Sequence, residues 1–493
     1  MTSATAVRLH TGTIGQFWIL GGLQILLIAA ITVTNVAMPA LQRDLGLQGE
    51  SDLGLISAAY GLTFGGLLLL GGGLADVFGR RRILLLGLVI FTVASAASAA
   101  AGGFAPLVAA RLCQGLGAAL VAPAAMGLVG VVFPEPARRA RAMARWGGLA
   151  ITGATAGNVL AGIVLTWASW RWTFAVMAVL GGLGIVLVAR CVPTGPDPES
   201  RRLDVPGGIL ATVAIGGLVY GILRGDLLVT AAGAALFVVF LRLESRLIAP
   251  LVPLPFLWSS RRLVGLVAIF ATAAATATTY FSLSLYFQRV HSWSPLLTGL
   301  TYLLPGLTLL AMGSVVGRVV ARFGARAVIA VGVLSAATSL LTIALEPAYG
   351  WIALVLYAFG AALSFAGATV AVTDGVEDAD IGLASGLANT AMELGPTVGF
   401  AVYIALGVLG RGAPFIAASV VLVVVALAAV ALTKSKNQNN GKDFSCRVVP
   451  SVSTARSCWS PEAAPASDGR PPRRSPARVR RSSCPAATRP SSP

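Results

Sequence analysis

The side chains able to do chemistry in this chain are few and stand in apolar surroundings. Glu393 sits in Asn389-Thr390-Ala-Met-Glu393-Leu-Gly395-Pro396. A carboxylate in such a stretch is costly unless it meets water or a partner, so it marks function by default. It is expected to take up and release a proton as its surroundings change; the other reading is a neutral glutamic acid hydrogen-bonded between helices. Arg111, in Arg111-x-x-Gln114-Gly115-x-Gly117-Ala118-Ala119, is its cationic counterpart. Either Arg111 snorkels to lipid headgroups, or it packs beside a cavity and tunes a nearby acid, as the following Gln114 and small residues favour. Gln24, Asn35, Gln114, Asn158 and Asn389 are polar spots in apolar runs and are expected to line a substrate cavity. No GxxxxGK[ST] loop is present, so the chain carries no nucleotide motor of that type. The only histidines are His10 and His291, and the five cysteines show neither CxxC nor CxxH spacing. No enzyme, no metal site, no disulfide framework and no cofactor beyond a proton gradient is expected.

The elements that must position these residues follow from composition. Of 493 residues, 56% are hydrophobic and only 11% charged, against about 45–50% apolar in a soluble domain. Apolar runs of about 20 residues are long enough to cross a bilayer as helices. Fourteen occur, at about 16–38, 53–74, 83–101, 107–131, 146–166, 173–190, 205–222, 227–241, 264–287, 297–316, 327–345, 350–372, 382–408 and 413–433. The first lacks a small-residue cleavage site and is expected to be retained. Lys and Arg concentrate in alternate loops, among them Arg80, Arg81, Arg138, Arg201, Arg202, Arg261 and Arg326. The positive-inside rule then places both termini in the cytoplasm, in a multi-pass protein of the plasma (inner) membrane. The net charge of +17 comes from these loops and the tail, which argues against a nucleic-acid partner. From residue 434 to 493 the chain is polar and basic, and is expected to be a disordered cytoplasmic tail; its composition also resembles a GC-rich frame read past its end.

Two stretches recur. Gly72-Gly-Leu-Ala-Asp76-Val-Phe-Gly79-Arg80-Arg81, after the second span, matches Gly317-Arg-Val-Val-Ala-Arg322-Phe323-Gly324-Ala-Arg326, after the tenth, 245 residues on. Gly148, Thr152 and Gly157 match Gly386, Thr390 and Gly395 at an offset of 238. Two six-helix halves joined by two extra spans account for both offsets, and such parallel repeats hold substrate between them near the midplane. The expected division is a cytoplasmic N-terminus (1–15), an N-terminal half (16–195), two linker spans (196–262), a C-terminal half (263–433) and the tail. Gly153, Gly157, Gly395, Pro396 and Gly399 are expected at helix-packing faces.

These motifs resemble the major facilitator superfamily, and within it the fourteen-span drug/proton antiporter branch. Gly72-x-Leu-Ala-Asp76-x-x-Gly79-Arg80-Arg81 is similar to the superfamily's gating-loop signature. Arg111-x-x-Gln114-Gly115 is similar to its intramembrane arginine motif. Asn35-Val-Ala-Met-Pro39 resembles the branch's first-helix signature, with Ala30 where the branch usually has an aspartate. Gly153-x-x-x-Gly157-Asn158 resembles its antiporter motif, with Asn158 in place of proline, and Glu393 stands where glutamine is more usual. The resemblance implies an all-α major facilitator-type fold. It further implies an exporter of small hydrophobic or amphipathic compounds by proton antiport and alternating access, acting as a monomer, with Glu393 the proton carrier and Arg111 its modulator. Ala30 and Asn158 leave two alternatives, a proton-independent facilitator or importer and a membrane sensor without transport.

Overall fold

Backbone polar groups in lipid must be satisfied within the segment, which for apolar runs of this length means helices. The computed structural model describes residues 3–47, 49–194, 204–247, 250–377, 380–410 and 412–439. Its helices are α1 (Ser3–Asp44), α2 (Glu50–Phe78), α3 (Arg80–Ala100), α4 (Phe104–Val132), α5 (Pro136–Trp167), α6 (Arg171–Cys191), α7 (Val205–Arg224), α8 (Leu227–Glu244), α9 (Leu254–Leu257), α10 (Ser260–Arg289), α11 (Pro295–Thr301), α12 (Leu303–Gly313), α13 (Val316–Phe323), α14 (Ala325–Leu345), α15 (Gly350–Thr373), α16 (Ile381–Gly407) and α17 (Ala413–Asn439). Among the described residues fourteen segments are long and apolar enough to span a membrane. The protein is therefore a multi-pass membrane protein. The tenth span is α11 and α12 in succession, Pro295–Gly313, with Pro295 in its first turn and Ser294 Oγ accepting from the Leu297 amide at 3.2 Å.

Boundaries depart from the sequence reading at three places. Helix α1 begins at Ser3, so most of the expected 1–15 terminus continues into the first span, and α17 carries helix to Asn439. The remaining tail, with Arg201 and Arg202, lies outside the described residues. The expected loop after the second span is one residue, Gly79 at φ 93° between α2 and α3, and Gly324 at φ 79° repeats it between α13 and α14. Side chains rarely adopt that backbone region, which is why glycine recurs there.

One apolar core lies in α1–α6 around Leu27, Tyr60 and Phe91; another, mostly in α10–α17 around Leu340, Tyr357 and Leu422, also takes in Val33 and Val36 of α1 and Ala161 of α5. Apolar side chains such as Val179 and Leu427 remain exposed on the outer faces, as lipid contact allows. In each half one glycine pair brings two helices into backbone contact. A Cβ on Gly153 would lie 2.8 Å from the Ile25 carbonyl oxygen and one on Gly157 2.7 Å from that of Ala29; on Gly395 and Gly399 the same oxygens belong to Phe270 (2.6 Å) and Ala274 (2.8 Å). Thus α5 packs on α1 as α16 packs on α10. The matching register is Gly153 with Gly395 and Gly157 with Gly399, one helical turn from the offset read in the sequence. Chemical similarity alone had aligned the wrong glycine.

The linker helices α7 and α8 pack on each other through Gly217 and Gly233. Helix α7 also lies against both α2 and α16, so it covers the line where the two halves meet. Val219 and Leu223 of α7 share an apolar cluster with Leu55 and Ala58 of α2 and Ala401 of α16.

Candidate functional site

Between the halves lies a cavity of about 1740 Å³. Gln24, Asn35 and Asn158 reach it from the N-terminal half, Asn389 and Glu393 from the C-terminal half. Its mouth lies at the end carrying Asp76, Arg80, Arg139 and Asp380. The opposite end is shut by contacts between the halves: Ser284 Oγ donates to the Asn35 carbonyl at 2.7 Å, Gln288 Nε2 to that of Val36 at 3.2 Å, and Arg289 pairs with Glu50 at 3.2 Å. Trp170, Phe174, Phe281 and Phe400 fill the space behind them. The cavity is thus open at the Asp76 end and closed at the other.

Gln114 is not a cavity residue. It is fully buried, accepts from Arg111 Nη1 at 2.7 Å through Oε1, and donates to Ser95 Oγ at 2.8 Å. Its side chain turns inward because the arginine three residues earlier needs an acceptor. Arg111 is itself fully buried, not snorkelling. Its Nη1 also donates to the Ala30 carbonyl at 3.0 Å and its Nε to that of Ile56 at 3.4 Å, while the guanidinium stands 4.6 Å from the centre of the Tyr60 ring. The backbone of Ala30 thus serves this cation where no side-chain acid is available. Among the described residues Arg111 forms no ion pair, with Glu393 or any other acid.

Glu393 is 7% exposed and borders the cavity. Its carboxyl makes no hydrogen bond or ion pair among the described residues. Its turn of α16 rests on α2, where a Cβ on Gly61 would come 3.6 Å from the Glu393 carbonyl oxygen. Tyr60 is the neighbour of Gly61 on this helix. The Arg111 guanidinium thus lies against the Tyr60 ring of α2, whose hydroxyl donates to the Leu27 carbonyl at 3.1 Å, and Glu393 lies on α16, which packs against the same helix. Tyr60 escaped the sequence reading, as did Tyr280 and Tyr302, whose rings stack at 4.7 Å on the cavity wall. A tyrosine within an apolar run was the available signal, because its hydroxyl needs a partner when buried.

A cavity bounded by two six-helix repeats, with the Gly79 and Gly324 turns in register, narrows the possibilities to one architecture. The sequence matches the model of the Major Facilitator Superfamily over residues 20–400 and 265–467. The chain belongs to this superfamily. It is 34% identical over 406 residues to the lincomycin resistance protein of Streptomyces lincolnensis, covering 78% of this chain and 82% of that one. It is 35% identical over 416 residues to the cephamycin export protein CmcT of Amycolatopsis lactamdurans, covering 78% and 83%. The fold is similar to a solved POT family transporter in complex with 5-aminolevulinic acid (TM-score 0.66, 16% identity, covering 87% of this chain and 96% of that one). It is also similar to the human organic anion transporter MFSD10 (TM-score 0.57, 18% identity, covering 85% and 98%).

In this superfamily member the residues of the α2–α3 turn are tied together inside the N-terminal half. Arg80 donates to Asp76 Oδ1 from Nε at 3.1 Å and from Nη2 at 3.0 Å, and its Nη1 holds the Gly127 carbonyl of α4 at 3.1 Å. Arg81 reaches the Ala189 carbonyl of α6 at 2.5 Å. Gly72, on the cavity wall, faces Pro123 of α4. The repeat has Ala321 and Ala325 where Asp76 and Arg80 stand, so the C-terminal half lacks this ion pair. Pro396 lies inside α16 one residue after the Gly395 contact, and by the packing register it corresponds to Ala154, not to Asn158.

Proposed function

We propose that this transporter exports small hydrophobic or amphipathic compounds, drugs and antibiotics among them, by proton antiport with alternating access. The observation that carries the reading is Glu393: a buried carboxyl without hydrogen bond or ion pair, on the wall of the cavity between the halves. Such a group binds a proton while it faces one side and releases it when its surroundings change. The relatives bear names of resistance and export, which supports outward movement of compounds of that kind, and the cavity has room for a molecule of antibiotic size.

In this reading the mouth at Asp76 faces the cytoplasm, both termini lie on that side of the plasma membrane, and a monomer of two halves (16–195 and 263–433) with a linker (196–262) suffices. The Asp76–Arg80 pair, bound to α4, stiffens the mouth of the N-terminal half while the C-terminal half moves. Arg111 sets the field at Glu393 through Tyr60, so that loss of the proton and the change of state are linked. The departures at Ala30 and Asn158 leave Glu393 as the intramembrane acid for coupling.

Vesicles with an imposed pH gradient test this, with lincomycin and puromycin among the compounds tried. Gradient-driven accumulation is expected. Equilibration independent of the gradient would favour a facilitator, and no movement of any compound a sensor. Glu393→Gln should still exchange substrate across the bilayer but should not concentrate it. Normal pumping by that variant would make the acid structural.

A further inference from the structure

Threonine hydroxyls inside apolar helices usually return to their own backbone, four residues back. Thr152 and Thr166 of α5 do so at 2.9 and 2.8 Å, and Thr279 of α10 at 2.6 Å. On α16 the pattern fails beside Glu393. Thr397, 1% exposed, leaves Oγ1 without a partner, and Thr390 does the same on the other side. Across the seam Ser57 of α2, 8% exposed, also has an unpartnered hydroxyl.

Their placement is fixed by glycines. Gly61 of α2 abuts the Thr397 hydroxyl, Gly65 abuts Leu394, and Ser57 lies one turn before Gly61. Because α2 runs from the closed end toward the mouth and α16 runs back, Thr397 and Ser57 lie on the closed-end side of Glu393. All three border the cavity wall.

The repeat supplies an internal control. Gly306 of α12, 245 positions after Gly61, abuts Thr155 of α5, 242 positions before Thr397. There the hydroxyl donates to the Ile151 carbonyl at 3.0 Å. Ile151 occupies the place that Glu393 takes in the other half. The same glycine–threonine contact therefore occurs at equivalent places in both halves, and of these two hydroxyls the free one is the one with an acid a turn away.

We propose that Thr397 and Ser57 hold a short water file that carries protons between Glu393 and the end of the molecule closed in this structure. This rests on Glu393 being the proton carrier. A buried site lined by several unpaired polar atoms is one that water occupies, with two to four bonds. A hydroxyl both accepts and donates, so it can receive a proton from water on one side while releasing its own to the other. In each delivery the last proton bonds to a Glu393 carboxylate oxygen, and the hydroxyls recover by rotation. Other groups facing this path are Tyr60 of α2, with Arg111 behind it. Helix α10 presents Phe270, Ala273 and Ala274, and α7 presents Val219 and Leu223. Helix α7 keeps lipid from the seam.

Infrared spectra of the full chain in liposomes test the relay without a known substrate. The carboxylic acid C=O band lost in Glu393→Gln identifies the group. Thr397→Val should move that band to higher frequency and slow its response to a pH jump by about tenfold or more, Ser57→Ala should do so in part, and Thr397→Ser should restore both. Thr155→Val, at the equivalent contact, should leave the band in place. A titrating band unmoved by Thr397→Val overturns the relay alone. A spectrum with no band specific to Glu393 overturns the proton-carrier reading and the relay with it.

Discussion

The N-terminal and C-terminal halves share a packing scheme and differ in where they keep charge. The N-terminal half stores a cation: Arg111 is fully buried, its hydrogen bonds made to two carbonyls and a glutamine and its guanidinium set against a tyrosine face. The C-terminal half stores an acid, Glu393, with nothing bonded to it. At the mouth the order reverses: the first half has the Asp76–Arg80 pair tied to Gly127, while the second has alanines at both positions. Duplicated helices thus supply a scaffold whose contacts are repeated, and single substitutions place the mouth's ion pair in one copy and the buried acid in the other.

The largest expected effect tests what is shared. Gly153→Leu and Gly395→Leu would each drive a side chain into a neighbouring carbonyl, and each should destabilise the folded protein by about 3 kcal/mol or more, measured by thermal unfolding in detergent. A large loss in one and none in the other would break the equivalence of the two contacts. The next tests what is not shared. Moving the acid to the other half, with Ile151→Glu added to Glu393→Gln, should leave gradient-driven accumulation about a hundredfold below that of the natural chain. There the threonine hydroxyl is already committed to its own helix. Recovery of pumping would mean that any acid beside the cavity suffices.

Asp76→Asn should have a smaller effect. A part-exposed ion pair is worth about 1 kcal/mol, which is about fivefold in turnover if it is made in only one state, with substrate affinity nearly unchanged. Equal losses in affinity and turnover would show that the pair shapes the binding site. Smallest of all is truncation after Lys436. Both halves are complete before that point, so membrane insertion and transport should stay within about twofold, a level that membrane fractionation and vesicle uptake can resolve.

Much of this was legible in sequence because the background is uniform. In apolar runs Glu393 and Arg111 stand out, and the recurrence of glycine, phenylalanine, glycine and arginine predicts two halves. The hidden part depends on orientation. Gln114 was expected in the cavity because a polar residue in a span suggests one, yet it turns inward to accept from Arg111. The register of α5 against α16 was one turn off, because glycines are interchangeable on paper and only the carbonyl each one touches tells them apart. Thr397 and Thr155 are the same residue type against the same kind of glycine contact, and they differ in where the hydroxyl hydrogen goes and in having Glu393 or Ile151 one turn earlier, which sequence spacing does not reveal.

Helix α7 touches one helix of each half, and this has a mechanical consequence. If the halves rock against each other, α7 cannot follow both, so it must slide along α2, along α16, or along each in part. Along most of its length its contacts with α2 suit sliding, since Gly208 meets Leu70, Thr212 meets Gly66 and Gly216 meets Leu62, while at the closed end Arg224 pairs with Asp52 of α2 at 2.7 Å. The two added spans then act as a bearing that rides the joint and sets its friction. The speed of the cycle would depend on how firmly the surrounding lipid presses that bearing home.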